Sequence, residues 1–574
     1  MEEIRKQLAE IVKRLFGVEL EADVTIAPEG TGADYASNVA MKLAKEVHKN
    51  PREVASMLAE AMSEGVFRVE VAGPGFLNFI SPDEYYDEKI AKMAAGEGEF
   101  VKNISLDEYS GKMVVAEFSD PNPFKVLHVG HLYTSVVGDS ISRLLELAGA
   151  KVVRANFGGD VGLHVAKTLY ALRKRAIEAL TIEEIAECYV EGTRAYDEDE
   201  AAKEEIAELN KIIYALAELG EEKCQERLEL EMVAEDFGRS TAEIAQISGL
   251  YWQGRELSYE YFKDFYAQIG VKFDKFYPES SVADRGLAEV REHVGSVYEE
   301  SEGAIVFRGD KVGLHTRVFI NAQGVPTYEA KDVGLIFTKW DDWHFDESVV
   351  ITGNEQTEYM KVVLASVKEY APELTERTRH LAHGMVKLPG NVKMSSRKGN
   401  FLKAVDVIQM VRQELAQTSA NDLITLAAIK YAFLKYKMGG DIVFDPKESV
   451  AVNGNSGVYL LYSAVRAKKI LQKLGDNERG EQKDLDENEQ KFTRRLSKKL
   501  VQYDEILEEA VRGKAPYKLC TYLYELAQEF SRFYEQVRVV GGGHEDVTEK
   551  YVRMYVGVME QGLGLLGIEV PEEM

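Results

Sequence analysis

Three scarcities narrow the function of this chain before any motif is considered. It has three cysteines in 574 residues, and Cys188, Cys224 and Cys520 lie far apart with no Cys-x-x-Cys pair. That spacing disfavours both a zinc site and a disulfide framework and suits a reducing, cytoplasmic setting. It has no uninterrupted apolar run of about 18 residues, so a membrane span is not expected. The opening MEEIRKQLAEIVKRLF is amphipathic and charged, without the apolar centre of a signal peptide. Positive charge is also short: 70 Lys and Arg stand against 97 Asp and Glu, a formal net charge of −27. Phosphate binding needs clustered cations, so this balance argues against a protein that coats nucleic acid nonspecifically. It leaves room for a specific RNA contact on a locally basic face.

What is present points to several domains, roughly three or four at ~150 residues each. Residues 1 to about 105 read as an α+β unit. Ile4, Leu8, Ile11, Val12 and Leu15 recur at helical spacing, and a second helical pattern runs from Asn38 to Val47. Asn50 is placed to cap a helix that begins at Pro51, with Glu53 three residues on. Val66 to Ile80 alternates like two strands around Gly-Pro-Gly. Nothing in this unit looks catalytic.

The richest stretch is Met113 to Ala150. An apolar run ends at Phe118, a Pro-rich loop follows, and a helical pattern starts at His128-Val129-Gly130-His131 and stops at Gly149. Strand, tight loop, helix N-terminus is where an α/β sheet binds phosphate: amides point outward and the helix dipole favours negative charge. Two imidazoles flanking a glycine add hydrogen-bond donors. Lys151 to Phe157 predicts the next strand, a βαβ start that favours a parallel sheet. From about 165 to 270 the pattern is helical and acidic, the composition of a solvated helical insertion. Strand-like segments return at Gly303–Phe307, Gly313–Ile320 and Ser348–Thr352, which would extend the sheet. Lys387 to Asn400, KLPGNVKMSSRKGN, has no periodicity and clusters cations, as a loop closing over polyphosphate would. Beyond about 405 the pattern is nearly all helical, with segments near 457–470, 490–511, 517–537 and 547–566 and an exposed loop from Leu474 to Asn488.

The two basic loops in this order resemble the paired ATP motifs of class I aminoacyl-tRNA synthetases. His128 to His131 stands at the first motif, and Lys393-Met394-Ser395-Ser396-Arg397-Lys398 at the second. A finer resemblance, to the arginyl-tRNA synthetase family, covers essentially the whole chain. AEFSDPNPFKVLHVGH (116–131), DYASNVAMKLAK, NPREVA and VEVAGPGFLNF (within 31–80), PTYEAKDVGL (326–335), TGNEQTEYM (352–360) and LGLLGIEVPEEM (563–574) carry it.

The resemblance implies an α/β multidomain protein. Its parts would be an α+β N-terminal domain (1–105) touching the tRNA elbow, a Rossmann-like parallel-sheet catalytic domain (106–405) with the helical insertion, and an all-α anticodon-binding bundle (406–574). It implies ATP-dependent ligation of L-arginine to tRNA(Arg), with Mg²⁺ accompanying ATP, by a cytoplasmic monomer. By the same resemblance His128, His131, Lys125 and Lys393 are catalytic. Gly130, Met394, Ser395, Ser396, Arg397 and Lys398 bind ATP, and Glu117, Asn122, Tyr328, Asp332 and Gln356 bind arginine. The chemistry is consistent: a guanidinium needs planar carboxylate partners, and Glu117, ending an apolar strand, is expensive to bury without a partner. Tyr328 is equally compatible with a core position. Two departures stand out. Ser396 replaces the second lysine of the second motif, a role open to Lys125, Arg397 or Lys398, and Asp120 replaces a serine of the loop before the first motif.

Overall fold

The computed structural model describes residues 1–28, 31–63, 65–95, 106–175, 180–390, 402–416, 421–476 and 483–574. The chain forms two compact units, each assembled from separate stretches: residues 1–101, 467–506 and 525–558, and residues 102–466, 507–524 and 559–574.

In the first unit four antiparallel strands, β1 (Val24–Ile26), β2 (Tyr35–Ser37), β3 (Arg68–Ala72) and β4 (Phe76–Ile80), lie in the order β1-β2-β4-β3. β3 and β4 pair around the Gly-Pro-Gly turn, Ala72 opposite Phe76. Helices Glu2–Phe16, Val39–Glu46 and Pro51–Ala61 pack Ile4, Leu8, Val12, Leu43, Val54 and Leu58 into one core with Leu77 and Phe79. Asn50 caps the third helix by accepting from Arg52 N at 2.9 Å, as its sequence position predicts. The predicted helix 490–511 is two helices, Glu487–Val501 and Tyr503–Gly513. No Pro or Gly marks the break at Gln502, so periodicity alone runs through it.

The second unit carries eight strands in its two larger sheets: β5 (Met113–Glu117), β6 (Lys151–Gly158), β7 (Lys275–Pro278), β8 (Tyr298–Ser301), β9 (Ala304–Phe307), β10 (Arg317–Ile320), β11 (Glu347–Gly353) and β12 (Thr378–His383). Five form a parallel sheet ordered β12-β11-β5-β6-β7. β5 is central and buried on both faces through Val114, Val115 and Ala116, which is why it reads as continuous rather than alternating. From β5 the chain moves to β6 and β7 on one side and later returns to β11 and β12 on the other. The crevice beyond the carboxyl ends of β5 and β11 is therefore a topological switch point, where α/β sheets bind ligands.

Two expectations are corrected here. Gly303–Phe307 and Gly313–Ile320 do not extend the parallel sheet; they contribute β9 and β10 to a separate antiparallel sheet ordered β10-β9-β8. Glu302 (φ 52°) and Gly303 (φ 80°) form a tight turn with both central residues left-handed, which closes a β8–β9 hairpin. Such a turn joins antiparallel neighbours, whereas parallel pairing needs a long crossover. The helical insertion is more than a solvated appendage. Helices Leu163–Lys174, Ile182–Glu198, Glu200–Leu219, Arg227–Asp236 and Thr241–Ile269 enclose a core of Val165, Leu169, Ile206, Ile213, Ile247 and Tyr251. Its acidic outer faces are braced by ion pairs such as Arg173–Glu243 (2.7 Å).

Residues near the end of the chain also belong to this unit. Three carbonyls there accept hydrogen bonds: Leu565 O from Ser140 Oγ (3.0 Å), Gly564 O from Arg143 Nη1 (3.4 Å) and Gly567 O from Lys430 Nζ (2.6 Å).

Candidate active site

The site is built on the chain leaving β5. Ser119 (φ 76°), Asp120 (φ 48°) and Phe124 (φ 64°) all take left-handed conformations, each at a cost of about 1–3 kcal/mol for a residue other than glycine. Four contacts hold them there. Ser119 Oγ lies 2.8 Å from the Tyr266 hydroxyl, and Asp120 Oδ1 accepts from Phe157 N at 2.8 Å. Asn122 Oδ1 accepts from Gly159 N at 2.9 Å, and Phe124 N donates to Ser258 Oγ at 3.0 Å. Asp120, the departure noted in the sequence, thus caps an amide at the end of β6.

This loop delivers His128 to the N-terminus of helix Val129–Leu147. His128 Nδ1 accepts from Gly130 N, and His131 Nδ1 accepts from His128 N, each at 3.1 Å. The rings stack with centroids 3.8 Å apart. Because both Nδ1 atoms accept, each neutral ring carries its proton on Nε2. Burial pushes the His128 imidazole down to about 4, helped by the nearby Lys125 ammonium, and pushes His131 well below the usual histidine range. Gly130 is required by the pair itself: a Cβ there would stand 2.8 Å from His128 Cε1.

Beside the histidines lies a cavity of about 800 Å³ that Lys125 and Asn122 also line. Its far wall comes from the insertion, through Ile182, Tyr189 and Arg194, and from Lys403 beyond the second basic loop. Burial lowers the Lys125 ammonium to about 8, with Glu279 opposing the shift and Lys167 adding to it. Its Nζ lies 5.1 Å from the centre of the Tyr189 ring.

Near Lys125, acidic side chains gather at the carboxyl end of β5. Glu117, buried at the end of that strand, pairs with Lys339 Nζ at 2.5 Å, and Lys339 also donates to Ser348 Oγ at 3.1 Å. Glu279 pairs with Lys331 at 2.6 Å. These lysines are 1% and 3% exposed, so the pairs are sealed from solvent. Asp332 accepts from the Tyr359 hydroxyl. Burial raises the Asp332 carboxyl to about 8; the tyrosine opposes that, and Glu117 and Glu279 add to it. Burial and the neighbouring Glu117 also raise Asp120. Glu117 and Glu279 are balanced by the two fixed lysines, which leaves Asp120 and Asp332 as carboxyl groups that an entering planar cation would ionise.

Helix packing makes this density possible. Gly286 and Gly334 let helices Glu279–Glu292 and Tyr328–Trp343 cross with backbones in contact: a Cβ on Gly334 would sit 2.2 Å from Val282 O, and one on Gly286 2.0 Å from Ala330 O. That approach brings Glu279 to Lys331.

Of the residues singled out in the sequence, Glu117, Asn122, Lys125, His128, Gly130 and His131 lie along the one stretch leaving β5, and Asp332 joins them from helix Tyr328–Trp343. Tyr328 opens its helix and is 54% exposed, which removes the core alternative, and Lys331 Nζ lies 5.2 Å from its ring. Gln356 is exposed in the turn after β11, at the N-cap of helix Thr357–Lys368, and its side chain makes no capping hydrogen bond. Lys393, Met394, Ser395, Ser396, Arg397 and Lys398 lie outside the described residues. Lys331, Lys339, Glu279, Tyr359 and Tyr189 were not singled out. Helical spacing carried one signal: 328, 332, 335 and 339 share a face, so Lys339 stands on the same side as Asp332.

A parallel sheet with its switch point at β5, and a histidine-capped helix beside a strained loop, define a nucleotide-handling α/β enzyme. The chain belongs to the class I tRNA synthetases (R), whose catalytic domain matches residues 101–445, more than half its length. Residues 2–80 match the arginyl tRNA synthetase N terminal domain, and residues 460–574 the DALR anticodon binding domain. Over its whole length it is 27% identical to the arginine–tRNA ligase of Treponema denticola, all of which is covered. The Clostridium perfringens arginine–tRNA ligase is also 27% identical, over 99% of this chain and all of that one. The fold is that of the Thermus thermophilus arginyl-tRNA synthetase (TM-score 0.75, 22% identity, both chains wholly covered). It is likewise that of the Plasmodium falciparum arginyl-tRNA synthetase (TM-score 0.77, 18% identity, 100% and 99% covered).

Proposed function

We infer that this enzyme ligates L-arginine to tRNA(Arg) at the expense of ATP. The observation that carries the specificity is the gathering of four carboxyl groups, Glu117, Asp120, Glu279 and Asp332, of which Lys339 and Lys331 balance two, adjoining the donors Lys125, His128 and His131. The arginine carboxylate attacks the α-phosphorus of ATP in line and pyrophosphate leaves. The arginyl-adenylate then gives its acyl group to a terminal ribose hydroxyl of the tRNA, and AMP is released. No covalent enzyme intermediate is needed, so the protein contributes positioning and charge stabilisation.

In this reading the Nε2–H groups of His128 and His131 donate to phosphate oxygens as charge develops on them. Lys125 supplies the cation that Ser396 cannot, and Lys393 with Arg397 and Lys398 covers the leaving pyrophosphate. Asp332 and Glu117 take the guanidinium, Tyr328 stacks on it, and Asn122 and Gln356 hold the α-groups. Mg²⁺ arrives with ATP and is held by its phosphates; Lys125, His128 and His131, which line the cavity at the helix N-terminus, are N–H donors suited to phosphate oxygens. We further propose the division into elbow-contacting (1–105), catalytic (106–405) and anticodon-binding (406–574) parts, and a monomer working in the cytoplasm. Three dispersed, buried free cysteines support that compartment.

The test is amino-acid-dependent pyrophosphate exchange, run with tRNA present across the set of amino acids. Arginine alone should support exchange. Exchange with another amino acid and none with arginine would sink the reading.

A further inference from the structure

Three of the four carboxyl groups at the end of β5 are already engaged by strong partners. Glu117 is neutralised by Lys339, Glu279 by Lys331, and Asp120 caps Phe157 N. Among the described residues Asp332 has one hydrogen-bond partner, the Tyr359 hydroxyl, which it meets through Oδ2. Its Oδ1 is uncommitted.

Tyr359 is held from two further directions. Its ring, partly buried, packs against the core beneath the parallel sheet. The Arg317 guanidinium lies 5.4 Å from the ring centre, and Arg317 in turn donates to Glu329 Oε1 at 3.0 Å. Glu329 sits one turn before Asp332 on helix Tyr328–Trp343. A closed chain, Asp332–Tyr359–Arg317–Glu329, thus joins that helix to β10 and to helix Thr357–Lys368. A phenol locked in this way has one orientation available, and its proton has one acceptor. Burial and Asp332 keep the phenol protonated well beyond its usual range.

We propose that Tyr359 is a positioning residue for substrate recognition: its hydroxyl donates to Asp332 Oδ2, fixes the plane of the carboxylate, and turns Oδ1 toward the substrate guanidinium. This rests on the reading of Asp332 as a guanidinium partner and goes beyond it, because it ranks the acids. Asp332, not Glu117, is the primary acceptor, since Lys339 already satisfies Glu117. The hydroxyl also biases Asp332 toward its charged form, because a hydrogen bond to a carboxylate favours ionisation. The other charged groups bearing on Asp332 are Glu117 on β5, Asp120 in the loop after it, Glu279 on helix Glu279–Glu292, and Lys339 on its own helix.

Tyr359→Phe removes the hydroxyl and keeps the ring. In steady-state aminoacylation with saturating ATP and tRNA, KM for arginine should rise about tenfold, the scale of a lost hydrogen bond to an ionised group. KM for ATP should stay unchanged. The acidic limb of kcat/KM for arginine should move to higher pH, since the carboxylate loses a stabilising donor. In a folded variant, an unchanged arginine KM with an unmoved limb overturns the proposal. So does an equal rise in both KM values with a lowered melting temperature, which is what a merely structural ring contact predicts. If the Phe variant does not fold, 3-fluorotyrosine at 359 decides, because its more acidic phenol is a stronger donor and must move the limb to lower pH; an unmoved limb overturns the proposal. Asp332→Asn separates the two levels. An unchanged arginine KM there overturns the arginine-site reading itself. A raised KM there with none in Tyr359→Phe overturns only the role of Tyr359.

Discussion

Neither histidine of the stacked pair carries charge near neutral pH, so the positive charge offered to phosphate by the described part of the loop comes from Lys125. Its ammonium, lowered to about 8 by burial, is held below pH 8 and lost above it. The kcat/KM for ATP should therefore fall as pH rises through about 8 and show no inflection near 6 from His128 or His131, whose folded values lie well below that. A pH profile with ATP varied checks this, and Lys125→Met should lower the plateau and flatten the alkaline limb. At this scale much of the site was legible. His128, His131 and Glu117 stand at positions whose chemistry is odd for a core or a turn, and Lys125 stands out through the family resemblance. The lysines that neutralise the buried glutamates were not legible. Lys339 is 222 residues from Glu117 and Lys331 is 52 from Glu279, and a sequence read locally has no way to pair charges across a sheet.

Among elements, the two glycine-mediated contacts do the most to shape the arginine side of the site. Gly334→Ala drives a methyl into Val282 O at 2.2 Å, and overpacking of this kind costs about 1–3 kcal/mol or more. We expect a lower melting temperature and a raised arginine KM, because separating the helices pulls Lys331 from Glu279; thermal unfolding and aminoacylation kinetics on the same preparation check both. Helices and the central strand were readable because their periodicity or continuous apolarity is local. β9 and β10 read as part of the parallel sheet, and β8 does not stand out at all, because short antiparallel strands look like any other apolar run; only the Glu302-Gly303 turn tells them apart. The insertion was misjudged for a different reason: its dense surface charge hid a regular apolar stripe, Ile206, Leu209, Ile213 and Leu216, which the structure buries.

At the scale of the whole molecule, linear domains and compact units do not coincide. Residues 507–524 and 559–574 are part of the unit that holds the parallel sheet. Lys514 Nζ, for example, donates to the Tyr109 hydroxyl at 3.1 Å and pairs with Glu347 at 2.9 Å. Removing everything after about residue 450 should accordingly abolish pyrophosphate exchange as well as tRNA charging. Exchange that survived the truncation would show that these contacts are dispensable for the chemistry. The same clamp bears on how the protein is made. Ser140 and the carbonyl it holds, that of Leu565, are 425 residues apart, while translation proceeds at about 5–20 residues per second. The helix headed by the two histidines therefore emerges tens of seconds before its last partner. During that interval the growing polypeptide holds an unfinished catalytic unit, and enzymatic competence arrives as a late event of synthesis.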